Sequence, residues 1–278
     1  MKKPTARKRG VEAGAPKGQR RRANGGAGKR GNGAGDAPEN VLVVDIGGSK
    51  VKMLATGHAA PRRIASGPDL TPERMVKAVL NACKGWSFDA VSIGYPGLAG
   101  AQGPRSEPGN LGPGWVGYNF AAAFKRPVRI INDAAMQALG TYEGGRMVFL
   151  GLGTGLGSAL IAQNVIIPLE LGALPARDGL PLGEVLGRKG LKRIGKRAWR
   201  KELARAIEQF TVAFTADYVV LGGGNASVLE KLPPGTRIGN NLAAFRGGFR
   251  LWHLPDVPTL SAEGEAAPQS ASTRWRVI

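Results

Sequence analysis

Three glycine-rich loops, each directly after a short apolar run, constrain this chain of 278 residues more than any other feature. The loops are DIGGSK at residues 45–50, GLGTGLGS at 151–158 and GGGN at 222–225. Short β-branched apolar runs predict buried strands, and ligands of α/β folds gather outside the carboxyl ends of such strands. One such loop indicates no more than a turn. Three loops at strand ends predict a shared site for a phosphate-bearing ligand.

The first loop combines glycines with charged and hydroxyl side chains. Gly47 and Gly48 let the backbone approach a phosphate closely, and Ser49 and Lys50 add a hydroxyl and a positive charge. Asp45, at the end of the predicted strand, is placed to hold Mg²⁺ directly or through water. The spacing is not that of the GxxxxGK[ST] loop. A tight Gly-Gly hairpin turn is the alternative interpretation.

The second and third loops rely on backbone more than on side chains. A strand rather than a helix follows the second loop, which argues against a dinucleotide-binding unit. The third loop is predicted to lead into a helix, and its small residues let a base or a phosphate chain lie against the backbone. A flexible strand–helix connection is the alternative there. The candidate phosphate- and donor-binding residues are Gly153, Thr154, Gly155, Gly157, Gly222, Gly223, Gly224 and Asn225.

The candidate acid–base group is Asp133, which together with Asn132 follows a predicted strand and opens a predicted helix. Phosphoryl transfer requires positioning, charge neutralisation and an acceptor for the proton of the attacking hydroxyl. Aspartate is also a common helix cap, and for a lone aspartate the cap is the simpler interpretation. A serine hydrolase has no support, because the sequence contains no GxSxG motif.

Strands alternate with helices along the chain, which predicts an α/β fold. Strands are predicted at VLVVDI, VKML and RRIA, before each of the three glycine loops, and after the second. The helix that begins at Asn132 is predicted to end at glycine, and a long helical pattern follows Pro181. Another helix begins at Thr71-Pro72, an N-cap followed by a first-turn proline. Its predicted apolar face comprises Met75, Val76, Val79 and Leu80.

Charge and cysteine content narrow the class of protein. The formal charge is +19, and residues 1–40 alone hold eleven Lys/Arg against three Asp/Glu. Such an excess favours polyanionic partners, with solubility as the alternative explanation. The single cysteine, Cys83, excludes a disulfide within the chain and a cysteine-rich zinc site. No apolar run reaches the ~20 residues of a membrane span, and no secretory signal is recognisable. The predicted location is the cytoplasm.

Together these segments resemble the ROK family of sugar kinases (repressor, open reading frame, kinase), and within it the polyphosphate glucokinases. The resemblance runs from about Val41 to Trp252 and rests on DIGGSKVK, GYPG, GNLGPGW, INDAAMQALG, GLGTGLGSALI, PLELG, GLKRIGKRAW and VVLGGGNA. It implies an α/β, actin-like (ribonuclease H-like) fold with two domains around a cleft. The implied domains are residues 41–135 with the sugar side and 136–254 with the donor site. A disordered basic tail at 1–40 and a flexible tail at 255–278 flank them.

The resemblance also implies roles for individual residues. Asp133 is the base that activates the 6-hydroxyl of glucose or a related hexose. Asp45 to Lys50 form the first phosphate loop, and Gly153 to Gly157 form the second. Gly222 to Asn225 help to hold the donor. The residues implied to hydrogen-bond the sugar are Asn110, Asn132, Glu170 and Glu184.

Magnesium and a phosphoryl donor, polyphosphate or ATP, are the implied cofactors, without zinc. Polyphosphate is favoured on electrostatic grounds, because residues 185–205 hold nine Lys/Arg against one acid. A solvated helix face is the alternative interpretation. The basic residues in question are Arg188, Lys189, Lys192, Arg193, Lys196, Arg197, Arg200 and Lys201.

One departure from the family pattern keeps a second function open. Ala173 stands where many family members have a histidine after Glu-x-Gly, and alanine offers no hydrogen bond to a hydroxyl. A sugar- or polyanion-binding protein with weak or no kinase activity is therefore the alternative. The basic tail has no aromatic residue for base stacking, which disfavours nucleic acid as a partner. Family members are commonly dimers, so a homodimer is the implied assembly, and no membrane partner is expected.

Overall fold

The computed structural model describes residues 37–176, 178–240 and 242–254, together with Leu260 and the backbone of Trp275–Arg276. The predicted disordered tail lies outside the described residues except for residues 37–40, and so does most of the predicted flexible tail at 255–278. Within that last segment, Leu260 forms a β-bridge with Val128, and Trp275–Arg276 pair with a strand of the second sheet.

A five-stranded sheet is built from the first part of the described chain. The strands of this part are β1 (Val41–Ile46), β2 (Lys50–Ala55), β3 (Arg62–Ala65), β4 (Ala90–Tyr95), β5 (Ala99–Gly100), β6 (Gly103–Pro104) and β7 (Val128–Asn132). The sheet has the order β3-β2-β1-β4-β7, with β5 and β6 as a separate small hairpin. β2 is antiparallel to β1, whereas β4 and β7 run parallel to it. β1 and β4 are buried along their whole length, as continuous apolar runs predict.

A six-stranded sheet is built from the second part. Its strands are β8 (Met147–Leu152), β9 (Leu156–Ala162), β10 (Val165–Leu169), β11 (Tyr218–Gly222), β12 (Thr236–Ile238) and β13 (Trp275–Arg276). They lie in the order β12-β11-β8-β9-β10-β13. β8, β11 and β12 are parallel, and β9 is antiparallel to β8. The strands predicted around all three glycine loops are therefore confirmed.

The helices are α1 (Pro72–Ala82), α2 (Phe120–Phe124), α3 (Asp133–Thr141), α4 (Leu182–Leu186), α5 (Arg188–Ala213) and α6 (Ala243–Arg250). Three short 3₁₀ segments lie at Leu171–Ala173, Gly224–Val228 and Leu251–His253. Among the helices of the described part of the chain, none is long and apolar enough to cross a bilayer.

Two helices connect the sheets. α6 packs on β1 and β4 of the first sheet, α3 packs on β8 and β9 of the second, and the two helices pack on each other. Glycines make this contact close: a Cβ at Gly140 would collide with the Ala243 carbonyl, and one at Gly247 with the Met136 carbonyl. Because α3 begins with Asp133, this contact sets where the candidate base lies relative to both sheets.

The structure corrects four details of the predicted elements. Leu80 is 38% exposed and lies outside the buried face of α1, which Met75, Val76 and Val79 form. α3 ends at the extended residue Tyr142 rather than at a glycine. GGGN leads into a 3₁₀ turn instead of an α-helix. α5 is broken at Gly195, whose φ of 76° is not helical.

Candidate active site

At the N-terminus of α3, one residue caps the helix and the next is the candidate base. Asn132, not Asp133, caps the helix, since its Oδ1 accepts from the N–H of Ala135 at 3.1 Å. The Asn132 amide nitrogen donates to the Gly97 carbonyl at 3.2 Å. The simpler interpretation of Asp133 as the cap is therefore wrong. Asn132 uses both ends of its amide within the protein, so its contact with a sugar stays a prediction.

The surroundings of Asp133 make its carboxyl a candidate proton acceptor. Burial raises the pKa of Asp133 to about 7, and the negative charges of Asp45 and, less strongly, Glu170 act in the same direction. The N–H of Ala134 donates to Oδ1 at 2.8 Å and partly opposes this rise. A catalytic base works best when its pKa lies near the working pH. The structure therefore brings three predicted site residues, Asp133, Asp45 and Glu170, within electrostatic reach of one another.

The first glycine loop is the turn between the antiparallel strands β1 and β2. The interpretation of this loop as a hairpin turn is therefore confirmed. Gly47 donates its N–H to the Lys50 carbonyl at 3.1 Å. A Cβ added at Gly48 would lie 3.7 Å from the side chain of Asn110, which places that predicted sugar residue against the loop. Ser49 and Lys50 are exposed. The turn therefore leaves its outer face open to a ligand.

The second glycine loop is the turn of the β8–β9 hairpin, and its carbonyls are held from two sides. The N–H of Arg188, at the start of α5, lies 3.0 Å from the Gly153 carbonyl and 3.2 Å from that of Thr154. The Asn225 amide also donates to the Gly153 carbonyl, at 3.0 Å. A Cβ at Gly157 would lie only 3.0 Å from the Cβ of Ala134. This hairpin is thus adjacent to the helix turn that carries Asp133.

The third glycine loop forms one wall of a cavity of about 470 Å³. Gly223 requires its glycine, because φ is +81° and a Cβ would lie 2.5 Å from the Leu152 carbonyl. Asp45 and Lys52 of the first hairpin line the same cavity. The cavity is lined by Asp45, Lys52, Gln137, Phe149, Gly222, Gly223, Gly224, Ala226, Ser227, Leu229, Ile238, Gly239, Asn240, Ala243 and Ala244. Two of the predicted glycine loops therefore border one space large enough for a phosphate donor.

The two ends of the segment that carries Asn110 are joined by hydrogen bonds to the carboxylate of Glu107. Glu107 accepts the backbone N–H groups of Trp115 and Val116, both at 3.1 Å, and these bonds lower the pKa of Glu107. The Trp115 ring is fully buried and donates to the Gly112 carbonyl at 2.7 Å. The sequence motif GNLGPGW does not indicate these hydrogen bonds of Glu107 and Trp115, which only the structure shows.

The other two predicted sugar residues lie at the second sheet. Glu170 precedes the 3₁₀ turn that contains Ala173, and it is exposed to solvent as a residue. Partial desolvation of its carboxyl raises the pKa of Glu170. Glu184 is exposed on α4, one residue after Gly183. A Cβ at Gly183 would meet the Gly172 carbonyl at 3.3 Å, so α4 packs against the Ala173 turn. Glu184 is therefore placed near the Glu170 segment.

The basic stretch forms most of the exposed surface of the first half of α5. Arg193 pairs with Asp178 and Arg200 pairs with Glu230, at 3.8 and 2.6 Å. In the part of the chain that the structure describes, no ion pair involves the other exposed cations, which are Arg188, Lys189, Lys192, Lys196, Arg197 and Lys201. The helix begins at the second hairpin, so this surface starts at the edge of the site.

Asp45 is the residue that fits the implied magnesium. Within the described residues, no group of three or more His, Cys, Asp or Glu side chains could hold a metal ion. Mg²⁺ is commonly bound through one or two carboxylates together with the phosphates of a substrate. Asp45, at the cavity wall with Oδ2 facing Lys52, suits that mode and not a metal cage made by protein alone.

Lys52 is the site residue that the sequence interpretation missed. Its Nζ lies 3.3 Å from Oδ2 of Asp45, and it lines the cavity. Lys50 was predicted in this role, but it is not among the lining residues. Alternation along a strand places residues 50 and 52 on the same face, so the sequence makes both lysines candidates and the strand register decides between them.

Comparison with known proteins confirms the resemblance to ROK-family kinases close to polyphosphate glucokinases. No protein-family model matches the chain. The polyphosphate glucokinase of Mycobacterium leprae (strain TN) is 28% identical over 220 residues, which cover 70% of this chain and 62% of that protein. The chain thus spans less than two thirds of the length of this relative.

Solved structures confirm the fold. The inorganic polyphosphate/ATP-glucomannokinase of Arthrobacter sp. strain KM has a TM-score of 0.66 at 23% identity, over 78% of this chain and 99% of that chain. A ROK family glucokinase from Streptomyces griseus, in complex with glucose and AMPPNP, has a TM-score of 0.60 at 18% identity, over 76% and 98%. The chain therefore has the actin-like α/β fold of these kinases, as the resemblance implies.

Proposed function

We propose that this chain is a sugar kinase that transfers a phosphoryl group to the 6-hydroxyl of glucose or a related hexose. The observation that carries this proposal is the carboxyl of Asp133. It is not the helix cap, its pKa is raised to about 7, and it lies at the turn that meets the second glycine hairpin. The names of the relatives support the same activity, since one is a polyphosphate glucokinase and another a polyphosphate/ATP-glucomannokinase.

In the proposed reaction, the carboxylate of Asp133 accepts the proton of the 6-hydroxyl as the sugar oxygen attacks the terminal phosphorus of the donor. The bond between that phosphorus and the bridging oxygen breaks, and the donor leaves one phosphate shorter. Asn110, Glu170 and Glu184 orient the sugar. Asp45 would hold Mg²⁺, which would supply charge neutralisation at the phosphates of the donor. Asp133 then returns its proton to solvent.

We further propose polyphosphate as a donor used at least as well as ATP. The support is the run of exposed cations on α5, a helix whose first N–H group, that of Arg188, faces the carbonyls of the second hairpin. A linear polyanion that reaches the cavity can continue along this surface, whereas a nucleotide ends within the site. Solvent-exposed cations attract such a chain over about a Debye length, roughly 8 to 10 Å at ordinary salt.

The test is a panel of hexoses against ATP, GTP and polyphosphate, read as phosphorylated sugar. We expect product with at least one hexose, and polyphosphate at least as effective as ATP. Absence of product with every pair would reject the kinase. Product with ATP but never with polyphosphate would reject the donor proposal alone. The Asp133→Asn variant, purified identically, controls for a contaminating kinase.

A further inference from the structure

The two lysines of the first hairpin differ in what surrounds them. Lys50 opens β2 at the turn and is exposed. Lys52 pairs in register with Asp45 across the antiparallel β1–β2 ladder. Its side chain enters the cavity, where its Nζ lies 3.3 Å from Oδ2 of Asp45. The cation nearer to the buried end of the hairpin is therefore Lys52.

The Lys52 ammonium retains capacity for a ligand. The Asp45 side chain is only 8% exposed, whereas that of Lys52 is 42% exposed. An ammonium group carries three N–H donors, and the bond to Asp45 uses one of them. The ion pair therefore holds Nζ beside Asp45 and leaves two further N–H donors on a side chain that is partly open to solvent.

One residue supplies the positive charge among the described residues that line the cavity. Among the described residues that line it, Asp45 and Lys52 are the charged ones, and the rest are neutral, among them Gly222 to Gly224 and Asn240. Glycine N–H groups can bind phosphate oxygens but bring no full charge. A chain of phosphates in this space has Lys52 as its only full positive charge from the lining.

We propose that Lys52 binds the phosphate chain of the donor in this cavity, a role that the loop motif assigns to Lys50. The proposal rests on the proposed function in that it takes the cavity as the donor site. In this proposal the Lys52 ammonium holds the donor phosphates in the cavity that the third glycine loop also lines. Loss of Lys52 leaves the buried carboxylate of Asp45 without its cation and the phosphates without theirs.

The test is equilibrium binding of sodium tripolyphosphate, measured by titration calorimetry without sugar. Lys52→Gln should bind roughly 10- to 100-fold more weakly than wild type, the range for losing a charge-assisted hydrogen bond. Lys77→Gln removes the same charge from the exposed face of α1 and should stay within about twofold, as remote exposed charges contribute little. Lys52→Met, which keeps the apolar stem, provides a second variant if Lys52→Gln does not fold.

A double-mutant cycle separates direct contact from relief of the Asp45 charge. In an Asp45→Asn background, Lys52→Gln should still weaken tripolyphosphate binding, because the phosphate contact is lost whether or not residue 45 is charged. No further loss in that background would overturn the proposal. An equal loss in Lys50→Gln, or binding by folded Lys52→Gln and Lys52→Met within twofold of wild type, would also overturn it.

Binding and turnover keep this proposal distinct from the kinase itself. Because the titration needs no sugar, a chain that phosphorylates nothing yet binds tripolyphosphate through Lys52 rejects the kinase and supports the phosphate site. A chain with sugar kinase activity whose Lys52→Gln variant binds tripolyphosphate normally rejects Lys52 and leaves the kinase in place.

Discussion

The two glycine hairpins of the site both connect antiparallel strands, but their surroundings differ. The first, between β1 and β2, has a buried carboxylate and an ammonium beside its turn, in Asp45 and Lys52. The second, between β8 and β9, has no charged side chain in its turn. Its carbonyls instead accept N–H groups from Arg188 and Asn225. A glycine motif alone does not distinguish these two cases.

The comparison indicates how each hairpin acts. The first contributes charge, so its effects should follow the chemistry of its side chains. The second contributes backbone held in place by neighbouring elements, so its effects should follow geometry. Asp133 is affected by both: Asp45 raises its pKa, and Gly157 of the second hairpin lies against the adjacent Ala134.

The largest effect should come from Asp133→Asn, which keeps the shape and removes the proton acceptor. Turnover should fall ~10²–10⁴-fold, the usual contribution of a general base, while equilibrium sugar binding is largely kept. Near-normal turnover would exclude Asp133 as the base. The same variant should melt at a higher temperature than wild type at pH 8. A carboxyl with a raised pKa destabilises the folded state once the pH exceeds its unfolded value of 3.8.

The next largest effect should come from backbone geometry where the third glycine loop meets the second hairpin at Leu152. Gly223→Ala forces a Cβ toward the Leu152 carbonyl at a φ of +81°. The resulting backbone shift should lower turnover roughly 10- to 100-fold, as displacements near 1 Å do. Gly67→Ala, which meets no atom within 4 Å, is the matched control. Wild-type turnover in Gly223→Ala would show that the close contact between the third loop and the second hairpin is not needed for activity.

A smaller effect is expected where one side chain holds that hairpin. Asn225→Ala removes the 3.0 Å bond to the Gly153 carbonyl. A single hydrogen bond contributes about 1 kcal/mol, so the donor KM should rise about fivefold. Steady-state kinetics with ATP and with polyphosphate should show the same increase for both donors. An increase for one donor only would mean that Asn225 contacts the donor itself.

The smallest effect should distinguish the donors. Replacing Lys192 and Lys196 by glutamine removes two exposed cations from α5, and the KM for long-chain polyphosphate should rise about threefold at low salt. The KM for ATP should not change. Lys84→Gln on the first half of the molecule is the charge control. An identical increase in the KM for ATP would mean that these lysines act at the active site, not on the distal part of the polyphosphate.

Much of the fold was predictable because short apolar runs indicate strands and glycine-rich segments indicate the turns between them. The strands around the glycine loops and the start of α1 at Thr71 are encoded locally. The exposure of Leu80 was not, because its position fits the apolar stripe of the helix while its side chain is 38% exposed in the structure. The break in α5 was missed because a lone glycine inside a helical pattern is usually tolerated.

The site was predictable in residue type and less so in role. The sequence indicates an aspartate and a neighbouring asparagine at the start of α3, but hydrogen-bond geometry decides that Asn132 is the cap and Asp133 is not. The register of β1 against β2 similarly selects Lys52 over Lys50. Both outcomes depend on pairings between segments, which a single sequence does not specify.

The pH dependence of kcat/KM tests most directly the claim that Asp133 is a base with a raised pKa. The base must be deprotonated, so kcat/KM for the hexose should rise with pH and reach half its limit near pH 7. In Asp45→Asn the neighbouring negative charge is gone, so the pKa of Asp133 falls and the rise should move to lower pH. A midpoint near the ordinary aspartate value, or one that Asp45→Asn leaves in place, would contradict the account.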